Sequence, residues 1–366
     1  MIITDITTFP LRIPFAPGTD SADAAWGPKG LKAVDSLLVR VTTDEGAVGW
    51  GESFGFIGAP ITGEAVEAAV APACVGQDPL RIAPLMHDVQ RQLHVFGRAG
   101  PLMHGLSAVD IALWDIAGKA AGMPVHQLLG GGRSADLPCY ASLDAYADPD
   151  LVRAAVRRAI DSGFVGVKLH EKEFREISAA RDEAGPEAAL MVDVNCAWTP
   201  HEASAIAEKV RPLGLTWLEE PVWPPENFAG LAQVRSAGVP VAAGENVSTQ
   251  LGFQRLLESS AVDFVQPSPA KAGGVTELSK VFTLAALHNT PVMPHTFYDG
   301  PGLLAALHAS AVLATPETMI EWRYFDLEAQ IYGDALTVRD GRIRVPQGPG
   351  LGLDPDPDVI SAYLIR

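Results

Sequence analysis

The first part of the chain alternates apolar and polar residues in short runs. Residues 2–13 and the run from Ser36 to Thr43 both show this alternation, which predicts β-strands. The turn signal Asp44-Glu45-Gly46 separates the second run from a third at residues 47–52, which predicts a hairpin. The N-terminus is therefore predicted to form a small antiparallel sheet.

Helical periodicity follows the predicted sheet. Apolar residues recur at intervals of three and four within residues 63–73, 79–94 and 105–121. The pattern ends at Gly130-Gly131-Gly132, a typical boundary between structural units. Residues 1–130 are therefore predicted to form one α+β unit.

Beyond residue 131, short apolar runs alternate with amphipathic helices. The runs end near Ser142, His170, Asp193, Glu219, Glu245, Ser268, His295 and Glu321. Eight such runs favour a (β/α) barrel over residues 131–334, with a doubly wound open sheet as the alternative. The tail, residues 335–366, is expected to pack outside the barrel, against the N-terminal unit.

Composition fits two large buried cores and excludes some partners. The chain has 366 residues, of which 48% are hydrophobic and 19% charged. Its net charge of −17 argues against nucleic acid and anionic membranes as partners. It has three cysteines, no leader-like N-terminus and no apolar run near the roughly 20 residues of a membrane helix, so we expect a cytoplasmic protein.

Three of the predicted strand ends carry a carboxylate. Asp193, Glu219 and Glu245 recur at intervals of 26 residues, as a strand–helix repeat would place them on one rim of the barrel. Gathered carboxylates repel one another unless a cation neutralises them, and oxygen ligands suit Mg²⁺. The sequence therefore predicts a Mg²⁺ site at the mouth of the barrel.

The neighbouring strand ends carry candidate catalytic groups. Lys168 and His170 are two residues apart, so both face inward if either does. A metal and Lys168 would together stabilise the anion formed when a carboxylic acid loses its α-proton. His170 and His295 could each move a proton, and Glu321 could hydrogen-bond the carboxylate. The predicted substrate is therefore a small carboxylic acid.

Together these motifs resemble the mandelate racemase and muconate lactonizing enzyme branch of the enolase superfamily. The resemblance covers almost the whole chain. It rests on Leu106–Asp115, Gly130-Gly131, Lys168-x-His170, Met191–Asn195, Trp217–Pro221, Gly244–Asn246, Val265–Pro267, Gly273–Thr276, Pro294-His295 and Ile320–Trp322.

The resemblance implies a modified (β/α)7β TIM-type barrel, capped by the α+β unit together with the tail. It also implies Mg²⁺ on Asp193, Glu219 and Glu245, abstraction of a proton α to a carboxylate, and a homo-oligomer. The Ala16–Gly30 loop and the segment after Glu52 would close over the substrate. Substrate contacts are expected from Trp26, Asn195, Ser268, Phe297 and Tyr298.

Two departures from the family pattern bear on the reaction. His170 stands where the family usually has a second lysine, and Ser268 stands where racemases of this branch have an aspartate partner for the histidine. Ser268 cannot stabilise a charged His295, which favours His295 as an acid for a leaving group. We therefore expect β-elimination of water, as in acid-sugar dehydratases, with a racemase, an epimerase or a cycloisomerase as the alternative. A non-catalytic binding barrel is the alternative from another class.

Overall fold

The N-terminal part folds as an antiparallel sheet, as the alternating pattern predicts. The structure, a computed structural model, describes residues 1–16 and 32–365. β1 (Ile3–Pro14) pairs with β2 (Ala33–Thr43), and β2 pairs with β3 (Val48–Ser53). Gly46 adopts a φ of +80° in the turn of the hairpin, a conformation that glycine enters without steric penalty.

Helices cover one face of this sheet. Their bounds are α1 (Ala59–Ala65), a π-helical turn (Val66–Val70), α2 (Ala71–Cys74), α3 (Ile82–Gln92), α4 (Pro101–Ala121) and α5 (Val125–Leu128). The helix α4 starts four residues before the predicted start, because Pro101 suits the first turn of a helix. It lies so close to β3 that a Cβ at Gly51 would be 1.8 Å from the carbonyl oxygen of Ala108.

The second part of the chain forms the predicted barrel. Its strands are β4 (Asp136–Ser142), β5 (Gly166–Leu169), β6 (Ala189–Asp193), β7 (Trp217–Glu219), β8 (Val241–Ala243), β9 (Phe264–Val265) and β10 (Ile320–Arg323). Successive strands are parallel, and β10 closes the barrel against β4. Counted with the bridge at Val292 described below, there are eight strand positions, and only a 3₁₀ turn (Gly333–Ala335) lies between β10 and the strands of the tail. The (β/α)7β prediction is therefore confirmed.

Helices connect the barrel strands and surround them. They are α6 (Pro149–Asp161), α7 (Phe174–Ala184), α8 (Pro200–Val210), α9 (Phe228–Arg235), α10 (Thr249–Glu258), α11 (Pro269–Ala272), α12 (Gly274–Leu287) and α13 (Pro301–Leu313). None of the helices that the structure describes is long and apolar enough to cross a membrane.

Some strands end earlier than the apolar runs predict. The strand β8 stops two residues before Glu245, because Gly244 turns the chain with a φ of +138°. The seventh strand is reduced to one bridge between Val265 and Val292. Pro291 and Pro294 flank this bridge, and proline has no N–H to donate to a longer ladder.

The tail contacts both parts of the molecule. Its elements are β11 (Val338–Arg339), β12 (Arg342–Arg344) and α14 (Pro357–Tyr363). β12 pairs with the barrel strand β4, whereas Leu364 bridges Leu11 of β1. The expected packing on the N-terminal unit is therefore only part of the arrangement, and the proposed domain bounds stay a prediction.

Inside the barrel, side chains are stacked in layers. A lower layer is buried and mostly apolar, and its residues are Tyr140, Met191, Trp217, Ala242 and Met293. Two residues farther along β6, β7 and the seventh strand position, the inward positions are the polar Asp193, Glu219 and His295. Lys168 of β5 lies beside Asp193 and Glu219, and Glu321 of β10 lies beside Lys168. We call this the upper layer, and its members are Lys168, Asp193, Glu219, His295 and Glu321.

Candidate active site and metal centre

Three carboxylates converge at the mouth of the barrel. Each of Asp193, Glu219 and Glu245 offers an oxygen, and these oxygens lie within 4.8 Å of one another. Asp193 and Glu219 are the last residues of β6 and β7, and Glu245 reaches the same point from the turn after β8. The structure thus brings together the three residues that the 26-residue spacing selected.

Glu219 is held by donors on both sides. Its Oε2 accepts hydrogen bonds from the indole Nε1 of Trp217 at 2.8 Å and from Nε2 of Gln266 at 2.7 Å. Its Oε1 accepts a bond from Lys168 Nζ at 2.6 Å. Burial raises the pKa of Glu219 to about 7 despite this ammonium.

Neighbours also orient the other two carboxylates. Asp193 Oδ1 accepts a hydrogen bond from the backbone N–H of Asn195 at 2.9 Å. Glu245 Oε2 lies 2.9 Å from His295 Nε2, and its Oε1 lies 3.8 Å from Lys271 Nζ. Burial alone would raise the pKa of Asp193, but the Lys168 ammonium and His170 together outweigh it, and the pKa is lowered.

This donor set fits a hard divalent cation. Three oriented carboxylates supply only oxygen ligands, which Mg²⁺ and similar ions prefer. Lys168, His170 and His295 each lie beside one of these carboxylates. The negative charge of the triad is therefore concentrated at a point that also attracts positively charged groups of the protein. The residues present could therefore bind a divalent metal ion.

Lys168 is a fully buried cation in the upper layer. Its Nζ lies 2.6 Å from Glu219 and 2.8 Å from Oε1 of Glu321. Burial alone would lower the pKa of Lys168, but these carboxylates raise it well above its usual value. Glu321 in turn accepts the N–H of Thr296 at 2.9 Å, which fixes it as a carboxylate acceptor. Lys168 is thus a fixed positive charge.

His170 is buried directly after β5 and has a defined orientation. Its Nδ1 lies 2.6 Å from the carbonyl oxygen of Leu143, so Nδ1 carries a proton and donates it. Its Nε2 faces Asp193 at 3.5 Å. Burial would lower the pKa of His170, but Asp193 outweighs this effect and raises it. Nε2 is therefore the nitrogen that can accept a proton inside the site.

His295 differs from His170 in its support. Among the residues that the structure describes, no hydrogen-bond partner reaches its buried Nδ1. The hydroxyl of Ser268, at the position where the resemblance implies an aspartate in racemases, instead lies 3.2 Å from the Tyr298 hydroxyl. Tyr298 donates to the backbone carbonyl of His295 at 2.8 Å. The imidazole of His295 therefore lacks the carboxylate that would stabilise its charged form from behind.

The residues predicted to bind substrate lie in different surroundings. Phe297 is buried, with its ring centroid 5.6 Å from that of His170. Asn195 is exposed and touches the site through its backbone N–H. Ser268 and Tyr298 are buried and bonded to each other. Trp26 and most of the Ala16–Gly30 loop lie outside the described residues, and the substrate-binding roles stay predictions.

The sequence reasoning missed several residues at the site. Gln266 and Arg323 are buried, and each points inward at the even spacing of its strand, two residues before Ser268 and two after Glu321. That spacing would have identified them. Phe54 and Phe56 lie in the segment after Glu52 that the resemblance placed over the substrate, but their contacts with the barrel form only in the folded protein, and no local pattern named the individual residues.

Comparisons with known proteins agree with this geometry. Residues 30–130 match the mandelate racemase/muconate lactonizing enzyme N-terminal domain, and residues 150–359 match the enolase C-terminal domain-like family. The chain is 32% identical over 350 residues to a D-galactarolactone cycloisomerase of Agrobacterium fabrum, covering 89% of this chain and 90% of that one. It is 28% identical to an arabinonate dehydratase of Saccharolobus solfataricus, over 99% of both chains.

A solved structure shares the whole fold. The 3,6-anhydro-D-galactonate cycloisomerase of Zobellia galactanivorans superposes with a TM-score of 0.86 at 30% identity, covering 100% of both chains. The family matches span both the N-terminal unit and the barrel, and the acidic triad lies where the barrel strands end. The chain therefore belongs to the mandelate racemase/muconate lactonizing enzyme family of the enolase superfamily and is an enzyme of that type.

Proposed function

We propose that this enzyme is a Mg²⁺-dependent lyase that removes the α-proton of a 2-hydroxy carboxylate and then eliminates water from the β-carbon. The observation that carries the proposal is the unequal support of the two histidines. His170 has a fixed tautomer with Nε2 as its proton acceptor, whereas His295 has no carboxylate behind its ring. Two unlike groups suit a reaction that needs one base and one acid.

Asp193, Glu219 and Glu245 would hold the Mg²⁺ ion. When bound, the cation supplies positive charge for the carboxylate of the substrate, whose charge increases as the α-proton leaves. Lys168 adds a second positive charge from the floor of the site. Because its pKa is raised, Lys168 stays protonated and serves as an electrostatic partner, which leaves the base role to His170.

The proton transfers follow from these assignments. His170 Nε2 takes the α-proton, and the electrons of the C–H bond form a double bond between the α- and β-carbons. The C–O bond at the β-carbon breaks, and His295 gives a proton to the departing hydroxyl, which leaves as water. The enol product then tautomerises to a 2-keto acid. Each proton is accounted for by one histidine.

Racemisation is the second candidate, and it would need two matched bases on opposite faces of the α-carbon. The difference between His170 and His295 argues against it. Relatives of the chain include an arabinonate dehydratase, which supports dehydration, and a D-galactarolactone cycloisomerase, which supports the same proton abstraction with another leaving group.

Two variants test the assigned roles. His295→Ala is expected to abolish formation of the 2-keto product but to leave exchange of the α-proton in D₂O partly intact, since His170 remains. His170→Ala is expected to abolish both. Product is measured by a ketone assay and exchange by ¹H NMR, on a panel of hydroxy acids and acid sugars with Mg²⁺.

His201→Ala, on the exposed surface of α8, is the control and should behave like the wild type. If His295→Ala removed exchange as completely as turnover, His295 would be the base and the roles would be reversed. Isothermal titration with Mg²⁺ separates the enzyme from a non-catalytic barrel, because an idle triad would bind no metal.

A further inference from the structure

A buried carboxylate connects the N-terminal unit to a helix of the barrel. Glu52 lies near the end of β3 and is fully buried. Its Oε2 accepts hydrogen bonds from the backbone N–H groups of Gly300 and Gly302, each at 3.0 Å. These glycines stand at the start of α13, where N–H groups have no partner within the helix. Glu52 is therefore bound to the first turn of α13.

The contact is close enough to require glycine on the barrel side. A Cβ at Gly300 would lie 2.7 Å from Oε2 of Glu52, and a Cβ at Gly302 would lie 3.1 Å from the same atom. A buried carboxylate that has lost its water is retained only where other donors replace it. The two N–H groups thus hold the carboxylate in place, and the carboxylate holds the start of the helix.

The chain that leads from His295 to α13 forms neither a helix nor a strand. Its path is set by contacts with other elements. Glu321 of β10 accepts the N–H of Thr296 at 2.9 Å, and Arg323 of β10 donates to the carboxylate of Asp299. The barrel therefore fixes the middle of this segment, and the carboxylate on β3 fixes its far end.

The end of β3 also borders the imidazole itself. Phe54, two residues after Glu52, has its ring centroid 6.0 Å from that of His295. Its backbone N–H donates to the carbonyl oxygen of Ala270 at 3.2 Å. On the other side, Nε2 of His295 lies 2.9 Å from Glu245. The position of the imidazole therefore depends on how β3 meets the barrel.

We propose that Glu52 is a positioning residue for His295, because its carboxylate fixes the first turn of α13 and thereby the segment that carries the imidazole. The inference rests on the proposed function, in which His295 gives a proton to the departing hydroxyl. His170 is oriented separately, by the carbonyl oxygen of Leu143. Loss of the anchor should therefore slow the elimination and spare the removal of the α-proton.

The length of the side chain tests the anchor. Glu52→Asp keeps the charge but is one methylene shorter, so its oxygen no longer reaches both N–H groups. Since a misplacement of about 1 Å costs on the order of 10²-fold in rate, we expect product formation by this variant to fall by roughly 30-fold. Exchange of the α-proton in D₂O, measured on the same Mg²⁺-loaded sample, should change by less than about twofold, because His170 stays in place.

Glu52→Gln is the matched comparison. It keeps the length and one acceptor oxygen, and its N–H₂ takes the place of Oε1, which accepts no hydrogen bond from the residues that the structure describes. Product and exchange should both stay within about threefold of the wild type. Glu64→Asp, on the exposed face of α1, is the control for the chemical change and should alter neither rate.

A second variant opens the same contact from the barrel side. Gly300→Ala places its Cβ against Oε2 of Glu52 and should lower product formation as Glu52→Asp does, so the test stands if either protein fails to fold. Crystal structures give a readout that needs no substrate. The imidazole of His295 should move by about 0.5 Å or more in Glu52→Asp, beyond the tolerance of a working site, and should stay in place in Glu52→Gln.

The outcomes separate this inference from the proposed function. Equal losses of product and exchange in Glu52→Asp, or no loss of either, would overturn the inference. So would an unmoved His295, or a loss of product in Glu52→Gln that matches the loss in Glu52→Asp. Absence of exchange and product in the wild type with every acid would overturn the proposed function, whereas the crystal structures would still decide whether Glu52 positions His295.

Discussion

On the strands β6 and β7, the lower and upper layers of the barrel lie two residues apart and have opposite chemistry. Met191 precedes Asp193 by two residues on β6, and Trp217 precedes Glu219 by two residues on β7. All four side chains are buried. Because inward positions repeat every second residue, the strands present both layers to the same interior.

The difference separates what stabilises the barrel from what makes it active. The rings of Tyr140, Trp217 and Phe264 pack together in and around the lower layer, with centroids 5.1 to 5.6 Å apart. Burial of such side chains is favourable in folding. Buried carboxylates such as Glu219 lose solvation and are retained only with partners. The favourable burial of the lower layer therefore offsets the cost of desolvating the carboxylates of the upper layer.

The largest expected effect comes from neutralising the upper layer. Glu219→Gln should reduce turnover by roughly 10³-fold, because it removes one charge from the triad. The free energy of unfolding should fall by about 1–3 kcal/mol, because the new amide N–H₂ faces a donor where Glu219 now accepts a hydrogen bond. Turnover and thermal unfolding are measured on the same sample. Met191→Leu is the lower-layer counterpart and should keep full activity. Equal losses of activity in both variants would abolish the distinction between the layers.

Trp217 joins the layers, and Trp217→Phe should therefore affect both properties. The phenyl ring keeps part of the packing, but the hydrogen bond from the indole to Glu219 and some volume are lost. We expect a loss of about 2 kcal/mol in the free energy of unfolding and about tenfold weaker Mg²⁺ binding. Urea unfolding and calorimetric titration provide the two values. Unchanged Mg²⁺ binding would mean that the lower layer does not support the site.

The smallest expected effect is in the pH dependence of stability. Burial raises the pKa of Glu219 from 4.5 to about 7, so the metal-free folded protein keeps a proton there that the unfolded chain releases. This contribution is present below about pH 4.5 and is lost as the pH rises through 7. Glu219→Gln should therefore flatten the fall in stability between pH 5 and 8 by on the order of 1–2 kcal/mol. An unchanged slope would show that Glu219 is ionised throughout.

Much of the site could be predicted because the residues at the ends of strands can be recognised from the local sequence pattern. The residues Asp193 and Glu219 end their strands as predicted, and Lys168 and His170 are buried together. The apolar run before Glu245 predicted that β8 extends to that residue. The strand ends at Ala243 instead, because Gly244 turns the chain, and this turn depends on backbone conformation. The tail was only partly predicted, because β12 adds to β4 through a pairing between distant segments.

The sequence by itself determined the barrel, the acidic triad and the two histidines, because inward positions and strand ends recur at fixed intervals along the chain. Only the tertiary structure decided how these groups are supported. Hydrogen bonds from Gln266 to Glu219 and from His170 to Leu143 join residues on different strands or loops. The stacked rings of Phe56 and Phe297 join the two units across more than 200 residues of sequence, a distance over which no local pattern specifies contact.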